Sequence, residues 1–200
     1  MTAQYSIPGA TTIGLVCKDG VILASEKRIT YGYMVMSKTG KKVFEISGKI
    51  GAACAGLVAD MQILMRIMQA NAQLFELEHG REMEVKATAK LMSNMLFQRR
   101  LFPFLTQTIV GGVDEEGSSI FILDPLGSLI PDDYAAVGSG AEIAVGVLEA
   151  QYNKDLSVVE GKSLVEKAVR AAIARDIASG NGMDILTITD QGIKEETIAF

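Results

Sequence analysis

β-branched and apolar residues run from Thr11 to Leu23 and again from Lys42 to Ala53, with "KDG" and "SGK" as turns within them. Runs of this kind around short Gly-containing turns predict antiparallel hairpins in the N-terminal third. The period then changes. In "LVADMQILMRIMQANAQLFELEHG" the residues Leu57, Met61, Leu64, Met65, Met68, Ala72 and Phe75 recur at helical spacing, and Gly80 supplies a stop. A second helix is predicted over roughly Val85 to Phe102, ended by Pro103. Strand patterning returns in "TQTIVGGVDEEGSSIFILDPLGSLI", where "DEEG" separates two apolar strands. A third helix is expected from near Ala141, a fourth from about Ser163 to Ala178, and "MDILTITDQGIKEET" closes the chain as a strand pair.

Strands therefore come in clusters instead of alternating singly with helices. That order favours two antiparallel sheets with helical layers outside, an α+β stack of four layers, αββα, over a doubly wound parallel sheet. The methionines Met61, Met65, Met68, Met92 and Met95 fit the core or a subunit contact.

Two hundred residues suit one domain. A hydrophobic content of 48% and four prolines argue against disorder. No apolar run approaches the roughly 18 residues of a membrane span. The net charge of −5 gives no general attraction to nucleic acid or to an anionic membrane. Cys17 and Cys54 lie inside apolar runs, as buried thiols of a reducing cytosol do. The opening "MTAQYSIPG" has neither the positive start nor the apolar stretch of a secretory signal, so a nine-residue leader needs another explanation.

Familiar catalytic signatures fail in turn. "GKS" at Gly161 to Ser163 lacks the upstream glycine of a phosphate-binding loop, and "KTG" at Lys38 to Gly40 has no S-x-x-K partner. The single histidine, His79, stands at a polar helix end, and no G-x-S-x-G elbow exists, so a Ser-His-Asp triad is unsupported. No His/Cys cluster suggests a metal, and no cofactor is expected. A hydrolase built from this chain needs a base other than histidine. A chain-terminal amine beside a terminal Ser, Thr or Cys is one such base, and it requires removal of a leader.

The segments "GATTIGLVCKDGVILASEKR", "SKTGKKVFEI", "AGLVADMQ", "GSGAEIAVGVLE" and "ARDIASGNGMD" resemble, in the same order, those of archaeal 20S proteasome β subunits, which are N-terminal-nucleophile (Ntn) threonine proteases. The resemblance implies an Ntn-hydrolase fold in a single domain over 10–200, preceded by a propeptide over 1–9. It implies cleavage between Gly9 and Ala10, and it places Ala10 where the family pattern G-T-T-T-V-G has its nucleophilic threonine. A methyl group can neither attack a carbonyl nor process its own leader. This form is therefore expected to be an inactive, unprocessed zymogen; the alternatives are a naturally non-catalytic structural subunit, or activity from Thr11. Thr11 is disfavoured because successive strand side chains alternate faces.

By the same resemblance Glu26 and Lys42 tune the nucleophile, Ser139, Asp176 and Ser179 surround the terminal amine, and Gly56 offers a backbone N–H to the oxyanion. Thr30 and Gly56 are expected along a cleft where substrate adds as an extended strand. Ile29, Gly40, Phe44, Cys54 and Val58 are expected to shape an apolar first specificity pocket, suited to cleavage after hydrophobic residues. The implied partners are proteasome α subunits and other β subunits in stacked heptameric rings, an unfoldase ATPase acting through the α ring, and unfolded protein substrates. The implied location is the cytoplasm of an archaeon.

Overall fold

The computed structural model describes residues 9–200. The leader positions before Gly9 lie outside the described residues.

The first sheet is antiparallel, in the order β10-β1-β2-β11-β12. It comprises β1 (Thr12–Cys17), β2 (Gly20–Glu26), β10 (Tyr134–Val137), β11 (Met183–Thr189) and β12 (Gly192–Ile198). The second, in the order β5-β6-β7-β8-β9, comprises β5 (Val43–Ser47), β6 (Ile50–Gly56), β7 (Thr106–Asp114), β8 (Gly117–Leu123) and β9 (Ile130–Asp132). A separate two-stranded hairpin, β3 (Ile29–Tyr31) with β4 (Met34–Ser37), stands between β2 and β5.

Strand alternation sorts the apolar residues into three layers of core. Between the sheets lie Val21, Leu23 and Leu186 from the first and Val43, Ala53, Ala55 and Ile109 from the second. Helices α1 (Val58–His79) and α2 (Val85–Gln98) cover the outer face of the second sheet through Met61, Leu64, Met65, Met68 and Met92. Helices α3 (Ala141–Gln151) and α4 (Val158–Ile173) cover the outer face of the first through Ala144, Leu148, Val165 and Val169. The architecture is αββα, and the methionines of α1 and α2 are core. His79 is exposed, stacks on the Phe75 ring and contacts the Phe75 carbonyl.

Three boundaries differ from the pattern reading. α2 stops at Gln98, not Phe102, because Phe102 N–H turns back to Arg99 O and leaves Leu101 and Phe102 exposed. α4 starts earlier, at Val158, because Ser157 and Glu160 form a reciprocal capping box, and it ends earlier, at Ile173. The residues from Ala174 to Gly182 form a loop that enters the site. The hairpin β3–β4 and the short strands β9 and β10 were not anticipated. Among the described residues no helix is long and apolar enough to cross a membrane, and no group of three or more His, Cys, Asp or Glu side chains could hold a metal.

Candidate functional site

At the head of β1 successive side chains point to opposite faces. Ala10 is 1% exposed and packs between the sheets with Ala53 and Ala55. Thr11, fully buried, turns to the helical side, where its Oγ1 lies 2.7 Å from Ser179 Oγ. Thr12 returns to the inter-sheet side and donates from Oγ1 to Cys54 O at 2.9 Å. The Ala10 carbonyl accepts from Gly140 N at 3.2 Å.

Gly9 fits a place where no side chain could stand. A Cβ there would lie 2.3 Å from Ala178 Cβ and 2.5 Å from Ser139 Oγ. The bond between residues 9 and 10 is thus gripped by the turn before α3 and the loop after α4.

Glu26 ends β2, and its N–H donates to Thr11 O at 3.1 Å, which sets it beside the head of β1. Lys42, just before β5, donates from Nζ to Glu26 Oε1 and, at 2.6 Å, to Arg28 O. The second carboxylate oxygen of Glu26 accepts from Arg28 N at 2.6 Å and Gly180 N at 3.0 Å. Both side chains are buried, Lys42 at 3% exposure and Glu26 at 0%. Burial pulls the Lys42 ammonium below the ordinary lysine range, and Glu26 and Asp176 oppose that pull. Burial likewise pushes the Glu26 carboxyl up, against Lys42 and the two backbone donors. Such a site lowers the proton affinity of a lysine while keeping a negative partner in contact with it.

Asp176 follows α4, and its N–H caps the helix end by donating to Ala172 O at 2.8 Å. Its Oδ2 accepts from Ser139 Oγ and from Ser179 Oγ, each at 2.6 Å. With the Ser179 proton committed to Asp176, Thr11 is the donor in its contact with Ser179. The result is a hydroxyl chain along the helical side of β1.

Gly56 closes β6 with φ +141°, and a Cβ on it would fall 2.1 Å from Leu105 O, so only glycine fits. The sharp turn it makes leads into α1, where Leu57 N–H donates to Leu105 O at 2.8 Å.

A cleft of about 500 Å³ opens beside these parts. Gly9, Lys42, Gly56, Ile29, Thr30 and Val58 lie along its wall. Three expected pocket residues stand elsewhere. Cys54 is fully buried, and Phe44 packs beside it against the core under α1 and α2, because both occupy the outward-facing register of β5 and β6. Gly40 lies behind Ile29, whose Cδ1 would be 2.4 Å from a Cβ at that position. Tyr31 and Met36 of the hairpin line the cleft instead, as does Arg28. Arg28 also ties the two halves of the site: its Nε donates to Asn181 Oδ1 at 3.1 Å and its Nη1 to Ile177 O at 2.8 Å. Its place two residues after Glu26 was the available signal; the hairpin residues gave none.

The family model for proteasome subunits matches residues 8–188. The chain belongs to the proteasome subunit family. It is 48% identical to proteasome subunit beta 2 of Caldivirga maquilingensis, with 99% of each chain covered. It is 50% identical to proteasome subunit beta 2 of Pyrobaculum neutrophilum over 95% of this chain and 94% of the relative. With proteasome subunit beta 1 of Nitrosopumilus maritimus the identity is 51% over 96% of each. Chains called beta 1 and beta 2 are thus alike in their similarity to this one.

Proposed function

We propose that this chain is a proteolytic-type β subunit of a cytoplasmic proteasome core particle, held unprocessed and silent by Ala10. The observation that carries the reading is that Gly9, Lys42 and Gly56 line one cleft, with position 10, Glu26 and the Asp176 hydroxyl network packed directly behind that wall. In a ring with α subunits and further β subunits, the cleft would face a chamber that receives unfolded chains.

With threonine at position 10 and the leader removed, the new terminal amine takes the proton of the Thr hydroxyl as the oxygen attacks the substrate carbonyl. Lys42, held in place by Glu26, lowers the proton affinity of both groups. Asp176 with Ser139 and Ser179 orients the amine, and a Gly56 N–H turned to the oxyanion would contribute about 3 kcal/mol. The C–N bond of the tetrahedral intermediate then breaks, and the terminal ammonium gives its proton to the departing amine; water, giving a proton to the terminal amine, attacks the acyl-enzyme ester, and that proton passes to the threonine oxygen as the acid leaves. Ile29, Val58 and Met36 on the cleft wall favour apolar side chains in the substrate.

A second reading, a naturally non-catalytic structural subunit, rests on Ala10 itself. Against it stands the buried ion pair, whose desolvation a purely structural subunit has no chemical reason to bear. The test is intact mass and peptidase activity of the assembled chain and of Ala10→Thr. An Ala10 chain that keeps its leader and is inert, beside an Ala10→Thr chain that loses residues 1–9 and cuts, supports the reading. Failure of both to mature or cut, despite assembly, favours the structural subunit. An Ala10 chain already trimmed to Thr11 and active overturns the assignment of position 10.

A further inference from the structure

The catalytic parts proposed above belong to different layers. Position 10 and Glu26 ride on the first sheet, whereas Lys42 and Gly56 flank β5 and β6 of the second. Two sheets packed through apolar side chains can slide by fractions of an ångström with little loss of buried area, because the hydrophobic effect is not directional. A reaction that needs its groups in register requires something directional between them.

The Lys42–Glu26 pair and the Gly138 N–H bond to Gln107 Oε1 are two such links, and a third hydrogen bond at the site reaches the strand of position 10 itself. Thr12 Oγ1, on the inter-sheet face of β1, donates to the carbonyl of Cys54 in β6 at 2.9 Å. The N–H of the same Cys54 donates to Lys42 O at 2.8 Å. The Cys54 backbone is therefore a node, joined to the nucleophile strand through Thr12, to the lysine through its own amide, and to Gly56 two residues along. Ser25 Oγ lies 2.9 Å from Thr12 Oγ1 and also within reach of the carbonyls of Glu26 at 3.2 Å and Thr11 at 3.4 Å. All three residues are buried, so no solvent competes for these groups.

We infer that Thr12 is a positioning residue that sets the spacing between position 10 on one sheet and Lys42 and Gly56 on the other. It touches no reacting atom. The inference rests on the reading of position 10, Lys42 and Gly56 as one catalytic unit. Valine at position 12 keeps the shape and deletes the donor, leaving the Cys54 carbonyl without its partner; serine keeps the donor.

The test has two arms. In the Ala10→Thr background, Thr12→Val is expected to lower kcat by about 10- to 100-fold with KM nearly unchanged, the scale of a small misplacement of reacting groups. The pH profile of kcat/KM should shift, because the spacing of the terminal amine from Lys42 has changed, and Thr12→Ser should restore both. Independently, crystal structures of the Ala10 chain carrying Thr12→Val and Thr12→Ser should show the separation of Ala10 Cα from Gly56 N altered in the first and native in the second. Should Thr12→Val fail to assemble, Thr12→Cys, close in volume and only a weak donor, is measured the same way.

Unchanged turnover in Thr12→Val, an unchanged separation, or equal loss in the serine variant each overturns the inference. If Ala10→Thr is itself inert, the proposed function fails, and the crystallographic separation alone then decides whether Thr12 sets the register.

Discussion

Lys42 and Glu26 form an ion pair shielded from solvent, with the ammonium also bonded to Arg28 O and the carboxylate also bonded to two backbone N–H groups. Every charge in the pair thus has more than one partner. This is the condition under which a buried pair can persist without forcing its members neutral.

Removing one member should be far worse than altering both. Lys42→Met leaves the Glu26 carboxyl facing two N–H donors and no cation, and is expected to destabilise by about 3 kcal/mol or more. Adding Glu26→Gln removes the stranded charge and keeps an acceptor for Arg28 N and Gly180 N, so the double variant should recover part of the loss. Thermal and denaturant unfolding of the three chains checks the order; a double variant less stable than Lys42→Met would contradict it.

Asp176→Asn should act on turnover more than on binding. One carboxylate oxygen receives both Ser139 and Ser179, and an amide in its place can serve both serines only with its oxygen turned inward. In the Ala10→Thr background kcat is expected to fall about 100-fold, while Ser139→Ala, which leaves the Ser179 contact, falls closer to about 10-fold. Steady-state kinetics with a hydrophobic peptide substrate reads both.

Gly56→Ala and Gly32→Ala both place a side chain at positive φ but differ in surroundings. At Gly32, φ +58°, no other atom lies within 4 Å of the added carbon, and the expected loss is about 1–2 kcal/mol of backbone strain. At Gly56 the carbon would collide with Leu105 O, so the chain should lose several kcal/mol or fail to accumulate in folded form. Melting temperatures of the two variants, side by side, make the comparison.

The cysteines predict an alkaline limit. Burial pushes both the Cys17 and Cys54 thiols up to about 12 from 9.0, with nearby acidic groups adding to the shift at Cys17. The unfolded chain therefore releases these protons from about pH 9 while the folded chain holds them. The stabilisation they give is whole below pH 9 and is lost between 9 and about 12. Replacing both with alanine should flatten that part of the stability profile. In the native chain neither thiol should react with a disulfide reagent at pH 8 until the protein is unfolded.

Much of the fold was legible because its long elements bury one face with a clean period: the seven-residue β2 and the helix from Val58 to His79 declare themselves. The hairpin from Ile29 to Ser37 did not, since Tyr31, Met34 and Met36 are apolar yet exposed and no buried face marks the strands. In the site, Glu26 meets Lys42, and Asp176 meets Ser139 and Ser179. Phe44 and Cys54 lie away from the cleft wall for a simple reason. Along β5 and β6 the odd positions Val43, Ala53 and Ala55 face the other sheet, and the even positions Phe44, Ala52 and Cys54 face α1 and α2.

Alternation at the head of β1 also gives the molecule a rule of parity. A leader cut one residue late would not displace the terminal hydroxyl by a single step along the strand. It would deliver it through the sheet, into the buried compartment of Ser179. The fold thus discriminates between neighbouring peptide bonds by which side of a sheet the next side chain occupies, a two-valued test that lengthening the leader leaves untouched and that a single insertion between residues 10 and 12 would invert.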